Sequence, residues 1–222
     1  FGPDGNYLAR FAKGYFTDAH TTDWGEALRF YGESSAPVRE FIIENAGYWI
    51  DEFHFDGLRL DATQNIYDHW DDHVVARLVE RAREAGRGRT TVYIGENEPQ
   101  DRRLLVPRSR GGAGIDALWN DDFHHTAMVA ATGRSEAYYS DYKGSPQELI
   151  SALKWGFLYQ GQHYRWQKQP RGTFALDQPA SSFVTFLQNH DQVANTPRGA
   201  RLATVAAPGT ARALTEIGRA HV

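Results

Sequence analysis

The sequence lacks several features that would each mark a class of protein. It contains no cysteine, which excludes a disulfide framework and a thiolate zinc site but does not fix the cellular compartment. No apolar run approaches the roughly 18 residues that a membrane-spanning helix needs. Lysine is scarce and the arginines are scattered, with only a short cluster between residues 81 and 89, so no basic face indicates a nucleic-acid partner.

What remains is an ordinary globular composition. The 222 residues are 41% hydrophobic and 13% aromatic, and the formal net charge is −4. The chain opens at Phe1 without a methionine, so a missing signal peptide carries no information about the gene product. At the other end, EIGRAHV (216–222) resembles the read-through of a sequencing adapter, and we expect native sequence to end near Thr215. A natural polar tail is the alternative, and the genomic sequence at codon 216 decides between them.

The chain alternates helical and extended patterns after an opening segment. Residues 1–31 are rich in glycine and aromatic residues without a sustained period, which predicts a long ordered loop with turns at 3–5 and 22–23. Apolar spacing predicts helices and short buried runs predict strands. The predicted helices cover 38–52, 68–85, 126–132 and 146–158, the predicted strands cover 55–61, 91–95, 114–120 and 181–191, and 161–180 is predicted as a loop. This alternation favours an α/β fold with a parallel sheet.

The stretch FDGLRLD (55–61) holds the first candidate for chemistry. Side chains alternate along a strand, so Arg59 and Asp61 share one face, and Asp61 closes the strand at its C-terminal end. In a parallel barrel this end is the catalytic rim. A neighbouring guanidinium keeps a carboxylate ionised, as a nucleophile requires, although a purely structural ion pair is the alternative. Asp56 with Gly57 is interpreted as a turn or a strand entry.

Two more predicted strands end on carboxylates, Glu96 and Asp191. Because the strand ends of a barrel converge on one mouth, the three carboxylates predict a barrel site. Cleavage of a glycosidic bond with retention needs an ionised nucleophile and a protonated acid about 5 to 5.5 Å apart, and Asp61 and Glu96 can fill these parts. Glu96 follows an apolar strand, so we expect it to be the less solvated of the two, which suits an acid. Asp191, beside His190, would bind sugar hydroxyls and stabilise a positively charged transition state.

Three segments, FDGLRLDA, YIGENE and FLQNHDQ, resemble conserved regions of the α-amylase superfamily of glycoside hydrolases. The resemblance implies the following roles: nucleophile for Asp61, general acid/base for Glu96, transition-state stabiliser for Asp191, support of the nucleophile for Arg59, and sugar binding for His190. A further region, DVVYNH, normally precedes FGPDGNYL and is missing here. The resemblance therefore implies an incomplete TIM (β/α)8 barrel over residues 1–215, without its early strands and its last strand, followed by the non-native tail.

Within the superfamily, FGPDGNYL, GENEPQD, WNDDFHH and AYYSDY are most similar to the members that release trehalose. The resemblance implies a cytoplasmic retaining hydrolase that cleaves the α-1,4 bond next to the terminal trehalose of maltooligosyl trehalose, with neither a cofactor nor a metal. A glucan branching enzyme, in which a sugar hydroxyl replaces water, is the first alternative. The second is a catalytically silent carbohydrate-binding homologue, against which the three intact carboxylates weigh.

The WNDDFHH segment holds weaker candidates. Its polar residues are Asp121, Asp122, His124 and His125. They could form a metal cluster, a rim that contacts sugar, or capping hydrogen bonds. Adjacent side chains in an extended chain point apart, which weighs against a metal, and we predict that Asp122 and His125 bind sugar. Trp119 is the aromatic residue that we expect to stack on glucose, whereas Trp155 and Tyr159, at helical spacing, are more typical of a core.

Overall fold

The computed structural model describes residues 7–22, 24–196 and 198–219. The chain forms two compact units. The first consists of Phe1–Glu98 and Arg103–Asp116, and the second of Pro99–Arg102 and Ala117–Val222. None of the helices within the described residues is long and apolar enough to cross a membrane.

The first unit begins with a short helix and a β-hairpin. Helix α1 (Leu8–Phe11) precedes the antiparallel strands β1 (Phe16–Thr22) and β2 (Gly25–Leu28). The loop predicted for residues 1–31 is therefore wrong over the hairpin. The strands escaped prediction because β1 is mostly polar and has no apolar alternation. Thr22 Oγ1 accepts from the Trp24 amide at 3.2 Å, but Asp23 of the turn predicted at 22–23 lies outside the described residues, as does the turn predicted at 3–5.

A parallel βαβ unit follows the hairpin. Helix α2 (Ala36–Asp51) leads to β3 (Gly57–Leu60), and α3 (Val74–Ala85) connects β3 to β4 (Val92–Gly95). The strands pair in parallel from Gly57 opposite Val92 to Leu60 opposite Gly95, which confirms the predicted α/β character. Helix α3 begins later than predicted because a 3₁₀ turn precedes it and because His73 caps it, accepting from the Val75 amide at 3.2 Å.

The core of this unit lies between α2, α3 and the strands. Ile50 on α2 and Val75, Val79 and Ala82 on α3 are buried, as is Tyr93 on β4. Each fully buried valine or isoleucine side chain contributes about 1.5–3 kcal/mol relative to an exposed one. This packing holds the C-terminal ends of β3 and β4 side by side.

The second unit contains a parallel pair of its own. Strand β5 (Ala117–Trp119) pairs with β8 (Phe183–Val184), in parallel, from Leu118 opposite Phe183 to Trp119 opposite Val184. Between them lie α4 (Asp121–Thr132), α5 (Pro146–Trp155) and a small antiparallel hairpin of β6 (His163–Tyr164) and β7 (Gln169–Pro170). That hairpin lies within the loop predicted for 161–180. Helix α4 begins five residues earlier than predicted because the Asn120 side chain accepts from the Phe123 amide at 3.0 Å.

The strand predicted for 181–191 is wrong beyond Val184. Asp191 lies in the first turn of a short helix, α6 (His190–Ala194). Asn189 caps this helix by accepting from the Asp191 amide at 2.8 Å, and Gln192 accepts from the Asn189 amide at 2.8 Å, which completes a capping box. The apolar run FVTFL resembles a longer strand, but the Asn-x-x-Gln capping signal after it begins a helix instead.

Two further helices end the second unit, α7 (Leu202–Val205) and α8 (Pro208–Arg219). Helix α8 runs without a break past Thr215, with Leu214 buried, and the Gly218 carbonyl accepts from Thr185 Oγ1 at 3.3 Å. The proposal that residues 216–222 are a non-native tail stays a prediction, and 220–222 lie outside the described residues.

Candidate active site

The ends of β3 and β4 bring two carboxylates onto one guanidinium. Arg59 forms ion pairs with both, through Nη1 to Asp61 Oδ1 and through Nη2 to Glu96 Oε2, the latter at 3.0 Å. Asp61 directly follows β3 and Glu96 directly follows β4, as the strand patterns predict. A single planar cation thus sets the spacing and orientation of both acids.

The two carboxylates differ in solvent access. The side chain of Asp61 is 77% exposed, whereas that of Glu96 is 22% exposed. Glu96 Oε2 also accepts from the Ala62 amide at 2.8 Å. The prediction that Glu96 is the less solvated acid is confirmed, and its carboxylate is held on the chain segment that follows Asp61.

That segment turns sharply at Ala62. Its backbone is left-handed, with φ 41° and ψ 51°, a conformation that costs a non-glycine residue on the order of 1–2 kcal/mol. The turn directs the Ala62 amide toward the Glu96 carboxylate. Strain of this kind persists only where surrounding contacts over-determine it, and it clusters at functional sites.

A cavity of about 490 Å³ lies beside Asp61. Asp61, Ala62 and Asn65 line it from the end of β3, and the β1–β2 hairpin contributes Trp24 and Glu26. The hairpin side of this cavity was not predictable from the sequence pattern, because Trp24 belongs to a segment that was predicted as a loop. An exposed tryptophan beside a carboxylate and an amide side chain is a combination that suits a sugar ring.

The second unit brings together three of the remaining predicted residues. His190 Nε2 lies 3.4 Å from Asp191 Oδ1, and both side chains are solvent-accessible. The Trp119 ring meets the His190 ring edge to face at 6.4 Å and the Phe186 ring at 5.4 Å. Trp119, His190 and Asp191 therefore form one cluster, with Trp119 positioned by the end of β5.

Comparisons with known proteins agree with these motifs. No protein-family model matches the chain. Over 201 residues, 90% of this chain, it is 37% identical to the malto-oligosyltrehalose trehalohydrolase of Saccharolobus solfataricus. A protein of the same name from Deinococcus radiodurans is 35% identical over 204 residues, 91% of this chain.

The chain is a relative of the malto-oligosyltrehalose trehalohydrolases. It spans about a third of the length of these two relatives, 35% of the first and 32% of the second. A crystal structure from Salmonella typhimurium, named as a candidate alpha amylase, superposes with a TM-score of 0.86 at 39% identity, over 96% of this chain and 36% of that one. The same α/β arrangement is thus present in an experimentally solved relative.

In the present chain, Asp122 lies in the first turn of α4 and is fully buried. Its Oδ2 accepts from the amides of Leu158 and Tyr159 at 2.7 and 2.8 Å. Its Oδ1 accepts from the Tyr142 hydroxyl at 2.5 Å and faces Arg171 Nε at 3.4 Å. Burial, and next the charge of Asp122, raise the pKa of Tyr142, which keeps that hydroxyl protonated as a donor. These contacts assign Asp122 to holding the loop after α5, and its position gives no support to the predicted sugar contact.

His125 is buried as well, among the rings of Tyr138, Tyr139 and Tyr142. Its Nδ1 has no hydrogen-bond partner within the described residues. Burial, followed by the neighbouring charges of His124 and Arg171, lowers the pKa of His125 well below 6.5, so the ring is neutral. Its predicted role in sugar binding likewise lacks support from its position.

The acidic and histidine residues of α4 do not converge on a common point. Within the described ranges, no group of three or more histidine, aspartate or glutamate side chains is arranged to hold a metal ion. The His124 Nδ1 instead contacts the Leu187 carbonyl at 2.7 Å, and its ring stacks on Phe186 at 5.2 Å. The capping and loop-bonding interpretation thus describes this segment better than a metal cluster does.

Proposed function

We propose that the protein carrying this chain is a retaining α-glucan hydrolase that cleaves the α-1,4 bond next to the terminal trehalose of maltooligosyl trehalose and releases trehalose. The observation that carries the proposal is the pair of carboxylates, Asp61 and Glu96, held by Arg59 at the ends of adjacent parallel strands. The names of the relatives supply the substrate.

In the first step, Asp61 attacks the anomeric carbon while the glycosidic C–O bond breaks and Glu96 donates its proton to the leaving oxygen. In the second step, Glu96 takes a proton from water, and the resulting hydroxide displaces Asp61 from the sugar. Retaining enzymes need a short carboxylate separation, about 5 to 5.5 Å, so that the nucleophile reaches the carbon without an intervening water. A shared guanidinium favours this short separation.

The solvent exposure of the Asp61 and Glu96 side chains agrees with their roles as nucleophile and acid/base. An exposed Asp61 can reach a substrate in the cavity that it lines with Trp24 and Asn65. Glu96 is more shielded and lies against the loop. We assign Asp191 as transition-state stabiliser, with His190 and Trp119 as sugar contacts, on the basis of the FLQNHDQ motif and their clustering.

We also propose that residues 1–215 belong to an incomplete TIM (β/α)8 barrel. Its support is the parallel β3–α3–β4 unit, the parallel β5–β8 pair and the similarity to a candidate alpha amylase. In such barrels, catalytic residues follow the C-terminal ends of the strands, as Asp61 and Glu96 do.

The experiment uses the protein expressed from its own gene, assayed on maltotriosyl trehalose and on amylose with chromatographic separation of products. We expect free trehalose from the wild type and a loss of roughly 10⁴-fold or more in kcat for Asp61→Asn. Asp56→Asn is the matched control, because Asp56 lies five residues earlier with a 97% exposed side chain outside the carboxylate pair.

Other products would change the assignment. New α-1,6 branches without trehalose would move it to a glucan branching enzyme. A wild-type protein that binds glucan but turns over neither substrate would be a catalytically silent carbohydrate-binding homologue.

A further inference from the structure

Thr63 is a buried threonine that connects the two strand ends carrying the carboxylates. Its amide donates to the Glu96 carbonyl at 3.0 Å, and its Oγ1 donates to the same oxygen at 2.6 Å. The Glu96 amide in turn donates to the Leu60 carbonyl at 2.9 Å. The backbone of Glu96 is therefore tied to the chain on both sides of Asp61.

The Thr63 hydroxyl is used as an acceptor too. Asn97 is buried, and its Nδ2 donates to Thr63 Oγ1 at 3.0 Å. Only a hydroxyl can donate to one partner and accept from the other at this position, so valine, which has the same shape, breaks both contacts. A serine keeps them.

The side chain of Glu96 is held by the same short segment. The amide of Ala62 donates to Glu96 Oε2, and the left-handed turn at Ala62 is what aims that amide. Hydrogen bonds from Thr63 on one side of the turn and the Arg59 contacts on the other fix the turn. A loosened Thr63 would let the turn relax and move the Glu96 carboxyl relative to Asp61.

We infer that Thr63, together with Asn97, is a positioning residue that holds the Glu96 acid/base at the working distance from the Asp61 nucleophile. The inference rests on the proposed function. Thr63 itself is 5% exposed and lies behind the carboxylates in the hydrogen-bonded network, so it acts through Glu96 rather than on the sugar.

The test compares Thr63→Val with Thr63→Ser in the protein expressed from its gene, on two substrates. Hydrolysis of maltotriosyl trehalose needs a proton from Glu96 for the leaving oxygen, whereas α-maltotriosyl fluoride releases fluoride with little acid assistance. Because a misplacement of about 1 Å costs on the order of 10²-fold, we expect Thr63→Val to lower kcat/KM about 10- to 10²-fold on the trehalose substrate and less than about threefold on the fluoride. Thr63→Ser should have kcat/KM values close to those of the wild type on both substrates.

The matched control is Thr91→Val, a buried threonine beside the start of β4, which should leave both values unchanged. Equal losses of Thr63→Val on both substrates would mean that the hydroxyl only stabilises the fold, and would overturn the inference. So would a Thr63→Val variant with wild-type activity. Failure of the wild type to release trehalose would instead count against the proposed function, and amylose would then replace the trehalose substrate in the same comparison.

Discussion

Gly57 shows how strongly one residue controls the site. It opens β3 with φ 159°, and a Cβ there would lie 1.8 Å from the Val92 carbonyl oxygen of the neighbouring strand. The strand-entry role that the sequence indicates for Asp56 and Gly57 agrees with this geometry, since the Val92 amide donates to the Asp56 carbonyl at 2.9 Å. A side chain at the first residue of β3 would therefore require β3 and β4 to move apart.

We predict that Gly57→Ala lowers the free energy of unfolding by about 1–3 kcal/mol, because the added methyl forces the two strands apart. The urea midpoint of the protein measures this change. Gly14→Ala is the control, since no atom lies within 4 Å of the position that its added methyl would take and its φ is not positive. An unchanged midpoint for Gly57→Ala would show that the strand entry can shift without cost.

Single residues also mark the limit of prediction from sequence. Asp61 and Glu96 were predictable because each ends a short apolar run, and such ends meet in a parallel sheet. The burial of Asp122 was not, because its partners Tyr142, Leu158 and Arg171 lie 20, 36 and 49 residues away. The connecting role of Thr63 escaped for the same reason, since it depends on a carbonyl 33 residues away.

At the scale of elements, α4 carries a buried pair of histidines whose protonation opposes folding. Burial lowers the pKa of His124 to about 4, against the smaller raising effect of its hydrogen bond to the Leu187 carbonyl, and lowers that of His125 well below 6.5. Between pH 6.5 and about 4 the unfolded chain binds protons that the folded chain does not. The contribution of these two neutral histidines to stability is therefore complete above pH 6.5 and falls as the pH falls through this window.

We predict a loss of up to about 1.4 kcal/mol per pH unit for each of the two histidines between pH 6.5 and 4, measured as urea midpoints at fixed ionic strength. His125→Phe keeps the ring among the tyrosines but removes one titrating group, so the fall should become less steep, by up to about 1.4 kcal/mol per pH unit. His163→Phe, at an exposed position of β6, is the matched control for replacing a histidine by phenylalanine. A slope in His125→Phe as steep as that of the wild type would contradict the prediction.

Elements were predictable in proportion to their regularity. The helix from Pro146 and the strands at Asp61 and Glu96 follow standard capping and burial patterns, and the Ser145 capping box with Glu148 is readable in the sequence. The β1–β2 hairpin was not, because strand β1 buries only Phe16 and Thr17 and has no alternating pattern. Tertiary pairing, rather than local preference, makes it a strand.

At the scale of the whole molecule, the chain corresponds to about a third of each trehalohydrolase relative. Within the described part of the chain, β3 pairs along one edge only, with β4. Several large apolar side chains near the end of α2 are exposed, Tyr48, Phe53 and Phe55 among them, and their rings contact one another. An open strand edge beside exposed aromatic rings is a surface that promotes association.

We therefore predict that the 222 residues, expressed alone, are poorly stable and do not release trehalose. Size-exclusion chromatography, thermal melting and the trehalose assay check this, with the protein expressed from its own gene as the reference. A monodisperse, cooperatively melting chain with glucanase activity would refute the prediction.

The β1–β2 hairpin has one more consequence, for engineering. Phe16 lies opposite Leu28, so the chain enters and leaves the hairpin at neighbouring points, and the turn end carries the Trp24 and Glu26 side of the cavity. Because its two attachment points are neighbours, we expect a hairpin with the same end pairing to be exchangeable here as a unit. Under the proposed function, we expect transplanting this hairpin to change the substrate range while Arg59 and the carboxylates stay in place.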